Sequence, residues 1–132
     1  MLFRSDARVF AWIDQLRAGG YTVAILSNLP HPLAEALRAT PGFLEHFDHA
    51  TLSCDLKLFK PQAEIYLHSV RGLGVAPEET LFIDDKQENV DGARAVGMKA
   101  ELFTTWEEFV RDVPTRYGLP APEKPLPVVT AR

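Results

Sequence analysis

Three short stretches carry side chains suited to a phosphate ester: Ser27 and Asn28 in ILSN (25–28), Lys60 in KLFKPQAEIY (57–66), and Asp84 and Asp85 in LFIDDKQENV (81–90). A hydroxyl and nearby backbone N–H groups can bond phosphate oxygens, an ammonium offsets their charge, and a carboxylate can hold Mg²⁺ against them. Taken singly, the first two stretches are ordinary. Ser-Asn after an apolar run serves as a turn or helix cap, and a lysine before a proline serves as a solvated loop residue. The carboxylate pair is different, because adjacent like charges repel unless a cation or donor compensates them. Capping of a following helix uses one carboxylate. Side by side, the pair favours the functional reading.

For these residues to meet, the chain must bring them to one edge of a scaffold. Residues 6–18 (DARVFAWIDQLRA) set Val9, Trp12, Ile13 and Leu16 on one helical face, with Asp6 as cap and Gly19–Gly20 as stop. YTVAIL (21–26) is short, β-branched and almost wholly apolar, the pattern of a strand covered on both faces. A helix over 32–39 and a weaker strand over 50–53 follow. Then come a helix over 63–71, a strand over 81–83, a helix over 88–96 closed by Gly97, a strand over 99–103 and a helix over 106–117. Strands alternating with helices predict an α/β fold built of βαβ units around a parallel sheet. In such sheets ligands bind beyond the carboxyl ends of the strands. Ser27, Asn28, Lys60, Asp84 and Asp85 all fall there.

With 132 residues and 46% hydrophobic content, the chain can bury one core. The stretch 119–132, LPAPEKPLPVVTAR, holds four of the ten prolines and reads as an extended, mobile appendage. A net charge of −4 gives no reason to expect nucleic acid or an acidic membrane surface as partner. Cys54 is the only cysteine, which excludes an intrachain disulfide and fits a reducing, cytoplasmic setting. No apolar stretch approaches the roughly 20 residues of a membrane span, and MLFRSDARVF lacks the apolar core of a signal peptide.

ILSN, KLFKPQAEIY and LFIDDKQENVDGARAVGM (81–98), in that order, resemble the second, third and fourth motifs of the haloacid dehalogenase-like (HAD) hydrolases. The likeness runs from Asp6 to Phe103. It implies a Rossmannoid parallel sheet with flanking helices over residues 1–118. It also implies that Ser27 bonds the transferring phosphoryl group, with the Asn28 backbone beside it, and that Lys60 steadies the nucleophile and the phosphoryl intermediate. Asp85 matches the Mg²⁺ ligand. Asp84 stands where many members have glycine and is implied to support Lys60 or the metal shell. Asn89 takes the place of a second acidic residue in the outer shell. The dehalogenases that name the family carry Ser and Asn in the fourth motif and use no metal, so IDD favours the Mg²⁺-dependent phosphatases of small phosphomonoesters.

One departure matters most. Family members open with an apolar strand ending in D-x-D, whose first Asp is the nucleophile and whose second is the general acid/base. Residues 1–20 supply no such strand: Asp14 lies within an expected helix, and Asp48 and Asp55 have no acidic partner two residues on. No nucleophile is identifiable. The cap that selects the substrate is missing as well, and MLFRSDARVF resembles the segment returning from it. The expectation is a truncated chain that lacks the central first strand and is inactive alone. An alternative from a different class is a non-catalytic binding module, completed by strand addition from a partner chain or prone to self-association through exposed strand edges. A phosphoacceptor receiver domain uses similar groups, but there the acidic pair follows the first strand and the lysine comes last. The order Ser27, Lys60, Asp84–Asp85 excludes it.

Overall fold

The computed structural model describes residues 7–122; the expected cap Asp6 and residues 123–132 lie outside the described residues. Helix α1 (Ala7–Ala18) buries Val9, Trp12, Ile13 and Leu16, the stripe that the 3.6-residue period requires. It ends at Gly19–Gly20, where Gly20 adopts a φ of 95°, a conformation open to glycine at little cost. Strand β1 (Ala24–Ser27) begins later than its apolar run suggests. Asp48 takes both backbone groups of Val23: its N–H donates to the Val23 carbonyl at 2.7 Å, and its Oδ2 accepts from the Val23 N–H at 2.7 Å. Residues 21–23 are thereby an approach to the sheet.

The remaining α-helices and β-strands are α2 (His31–Ala39), β2 (His49–Leu52), the single turn α3 (Ser53–Leu56), α4 (Ala63–Leu73), β3 (Leu81–Asp84), α5 (Gln87–Ala95), β4 (Lys99–Leu102) and α6 (Trp106–Tyr117). Strand β1 runs parallel to β2 from Ala24 opposite His49 to Ser27 opposite Leu52. Strand β3 runs parallel to β4 from Leu81 opposite Lys99 to Asp84 opposite Leu102. Among the described residues β1 pairs only with β2, and β3 only with β4. The fold is therefore α/β with parallel strands and flanking helices, and the sheet is in two pieces. Ala24–Asn28 and Leu81–Lys86 line one cleft of about 660 Å³, together with Trp12, Leu16 and Phe109.

Strand β3 is covered on both faces, which explains its unbroken apolar run. Phe82 packs with Ile65, Tyr66, Val90 and Ala93 of α4 and α5, while Leu81 and Ile83 pack against the cluster of Trp12, Leu16, Phe109 and Val113 from α1 and α6. Ile25, Ala34, Leu37 and Leu52 close a third cluster between α2 and β1–β2. The first residues of the proline-rich stretch are attached to this core. Trp12 Nε1 donates to the Pro120 carbonyl and Gln15 Nε2 to the Ala121 carbonyl, each at 2.8 Å. Among the described residues no helix is long and apolar enough to cross a membrane.

Candidate functional site

Asp84 is the last residue of β3, and its backbone carbonyl still accepts from the Phe103 N–H at 2.8 Å. Pleating turns its side chain inward, toward the α4–α5 layer that holds Phe82's neighbours. Only 7% of the residue is exposed. Three donors converge on its carboxylate: Lys60 Nζ at 2.7 Å and Asn89 Nδ2 at 3.3 Å on Oδ2, and the Lys86 N–H at 2.9 Å on Oδ1. Burial by itself would push this carboxyl up. The hydrogen bond and charge of Lys60, with the Lys86 N–H, outweigh burial and hold it below the usual carboxylate range.

Lys60 lies on the loop between α3 and α4, far from Asn28 in sequence, yet the two residues are clamped together. The Lys60 N–H donates to Asn28 Oδ1 at 2.9 Å, and Asn28 Nδ2 donates back to the Lys60 carbonyl at 3.2 Å. Gln62 closes the same loop, its Oε1 accepting from the Phe59 N–H at 2.7 Å and its N–H donating to the Phe59 carbonyl at 2.8 Å. The Lys60 ammonium also stands 5.7 Å from the Phe82 ring centroid, close enough for a cation–π contribution.

Helix α5 seats this loop through Gly92. A Cβ at that position would come within 2.7 Å of Pro61 Cβ, 2.9 Å of the Pro61 carbonyl oxygen and 3.0 Å of Tyr66 Oη. Tyr66 is buried and donates its hydroxyl to the Asn89 carbonyl at 2.7 Å; burial first, and the charge of Asp84 second, push its phenol pKa up. Asn89 is thus held between Tyr66 and Asp84.

Ser27 ends β1 and is 4% exposed, lining the same cleft as Lys60 and Asp84. The turn after it is fixed by Ser53, whose Oγ accepts from the Leu29 N–H at 2.9 Å and donates to the Leu29 carbonyl at 3.2 Å. Asp85 is exposed and lines the cleft mouth. The adjacent carboxylates differ in environment, Asp84 buried against an ammonium and Asp85 exposed to solvent, while their side chains stay within hydrogen-bonding reach of each other. Their repulsion is answered by Lys60 and the Lys86 N–H. Ser27, Asn28, Lys60, Asp84, Asp85 and Asn89 all line the cleft that β1 and β3 share. Sequence reasoning missed the Asn28 side-chain clamp, Gln62 and the approach at Gly92. A glycine inside an otherwise good helix was the available signal for the last.

A sequence model of haloacid dehalogenase-like hydrolases matches residues 6–97. The chain belongs to that family. A sesquiterpene phosphatase, astK, from Aspergillus oryzae is 36% identical over 95 residues, which are 72% of this chain and 48% of that protein. The chain thus spans about half the length of this curated relative. A HAD-like family hydrolase from Porphyromonas gingivalis superposes with a TM-score of 0.71 at 31% identity, covering 85% of this chain and 57% of that one. A HAD family enzyme from Bacteroides thetaiotaomicron, solved in complex with magnesium and inorganic phosphate, superposes with a TM-score of 0.61 at 26% identity, covering 74% of this chain and 53% of that one.

Proposed function

We propose that this HAD chain carries the phosphate-binding and metal-binding side of a Mg²⁺-dependent phosphomonoesterase site. We further propose that turnover requires another strand, in cis or in trans, which fills the cleft between β1 and β3 and brings a carboxylate nucleophile. The observation that carries this reading is the cleft itself: among the described residues no strand lies between the edges of β1 and β3, and Ser27, Lys60, Asp84 and Asp85 line the cleft. An edge pair of this kind can accept a strand by main-chain hydrogen bonds, and Val9, Trp12 and Ile13 of α1 and Phe109 of α6 line the cleft that it would enter. If the strand comes from a separate chain, this protein is the partner subunit of that chain.

Each residue has a part that its surroundings support. Ser27, fixed by the turn that Ser53 holds, can donate its hydroxyl to a phosphoryl oxygen. Lys60 is paired with and oriented by Asp84, so an incoming carboxylate or phosphoryl group meets a cation that needs no reorganisation. Asn89 and Lys86 hold Asp84 in turn. The donor chemistry at the cleft mouth fits Mg²⁺, because Asp85 offers exposed carboxylate oxygens, whereas both oxygens of Asp84 are already engaged. When bound, Mg²⁺ would neutralise phosphate charge and polarise the phosphoryl group. The magnesium-and-phosphate complex of the Bacteroides relative and the activity named for the Aspergillus one support the phosphatase reading. The substrate class proposed is a small phosphorylated metabolite, and the free thiol of Cys54 suits a cytoplasmic setting.

The test is turnover of p-nitrophenyl phosphate with Mg²⁺. The 132-residue chain alone gives none. A chain completed by a segment bearing an apolar strand that ends in D-x-D gives Mg²⁺-dependent turnover, lost on Asp85→Asn with the circular dichroism spectrum unchanged. Turnover by the 132-residue chain that disappears on Asp85→Ala would place the nucleophile within it and overturn the requirement for a further strand. A fully active Asp85→Asn enzyme would overturn the metal assignment.

A further inference from the structure

His31, Cys54 and Asp55 form a second constellation, on different elements from Asp84 and Asp85. One potential ligand atom from each lies within 4.8 Å of the others. His31 is the first residue of α2, while Cys54 and Asp55 belong to the single turn α3 that follows β2. We propose that these three side chains form a binding site for a thiophilic divalent cation of the Zn²⁺ class, separate from the proposed Mg²⁺ ligand Asp85.

The elements that bring the donors together are fixed before any ion arrives. Ser53, fully buried, bonds both backbone groups of Leu29, which ties the start of α3 to the loop leading into α2. His31 is thereby set against Cys54, 23 positions away in sequence. Asp55 is restrained in the same manner. Arg38 pairs with its Oδ2, and the Cys54 sulfur lies 3.8 Å from its Oδ1. One carboxylate oxygen is thus left on the sulfur side, while the other has an outer partner of the kind that orients metal ligands. Leu29, Pro30, Pro32 and Phe59 line the cleft beside His31 and Cys54.

The donor set selects the ion. Imidazole and thiolate suit Zn²⁺ and its neighbours in the first transition row, whereas Mg²⁺ prefers oxygen donors alone. Three protein ligands leave a fourth tetrahedral position open to water. An ion held there clips the start of α2 to α3, directly after Asn28, the residue that holds Lys60.

Co²⁺ is the probe, added to the 132-residue chain under a phosphine reductant. The expected result is a sulfur-to-cobalt charge-transfer band that saturates at one ion per chain, is displaced by Zn²⁺, and persists in excess Mg²⁺. Cys54→Ser abolishes the band. His31→Gln, at an exposed position that should not disturb folding, and Asp55→Asn each weaken Co²⁺ binding by about 10-fold or more, the scale seen when even outer metal partners are lost. Zn²⁺ raises the melting temperature of the unmodified chain and leaves that of Cys54→Ser unchanged. Absence of the band in the unmodified chain would overturn the proposal. So would a band unaltered in both His31→Gln and Asp55→Asn, which would mean a thiol acting alone. A band lost on Asp85→Asn would overturn the claim of a separate site.

Discussion

Lys60 Nζ sits 2.7 Å from Asp84 Oδ2, with only 11% and 8% of the two side chains exposed. A buried pair of this kind adds little net stability as a pair, but leaving one partner without the other is expensive. Removing one charge typically costs about 3–5 kcal/mol, since the remaining ion stays desolvated. Asp84→Asn, nearly the same shape, should therefore lower the unfolding free energy by about 3 kcal/mol at neutral pH. The double variant Lys60→Met with Asp84→Leu should recover most of that loss. Chemical denaturation of all three proteins checks this, and an Asp84→Asn midpoint equal to that of the unmodified chain would sink it.

The same pair predicts an acid-sensitive component of stability. Lys60 and the Lys86 N–H hold the folded Asp84 carboxyl below its ordinary value of 3.8, despite the opposing effect of burial. Between those two values the unfolded chain binds more protons than the folded one. The contribution is therefore complete above the ordinary pKa and is lost as pH falls through the lower, folded one. The stability gap between the unmodified chain and Asp84→Asn should be flat above about pH 5 and shrink below about pH 4. A gap that widened on acidification would contradict the assigned direction.

Gly92 yields a prediction in which two effects oppose. Alanine is favoured over glycine inside a helix by about 1 kcal/mol. Here the added methyl would meet Pro61 at 2.7 Å and Tyr66 Oη at 3.0 Å, and Pro61 adjoins Lys60. Overpacking of such a contact costs about 1–3 kcal/mol, so the clash wins. Gly92→Ala should lower the melting temperature and, in a completed enzyme, reduce turnover by displacing Lys60. An increase in melting temperature would show that the loop yields freely.

Much of this architecture is legible from local patterns, because burial of one helical stripe or one apolar run leaves a periodic mark. Helix α6 falls at Trp106–Tyr117 as expected, with Thr105 Oγ1 accepting from the Glu108 N–H at 3.2 Å. What local pattern could not supply is set by distant partners. Strand β1 starts late because Asp48 occupies Val23. Asn28, expected to act through its backbone beside a phosphate, has its side chain committed to Lys60. The inward turn of Asp84 follows from the pleat of β3, once its last residue is known to be Asp84 and not Ile83.

Asn28 is the position where that distant pairing can be tested most directly. Its amide makes two hydrogen bonds to one backbone residue, and together they fix where the Lys60 loop crosses the end of β1. Asn28 is exposed, so in Asn28→Ala water can replace both partners and the loss of stability should stay near 1 kcal/mol. Positioning suffers more than stability, because a displacement of about 1 Å at a reacting group can cost 100-fold in rate. Asn28→Asp separates the two bonds: an oxygen still accepts from the Lys60 N–H, while the other now faces the Lys60 carbonyl without a proton to donate. Hydrogen exchange at the Lys60 amide reads this without any activity. It should quicken clearly in Asn28→Ala and less in Asn28→Asp, with the α4 and α5 amides unchanged. Equal protection of Lys60 in all three proteins would show that the clamp does not hold the loop, and would leave the Asp84 ion pair to position the lysine by itself.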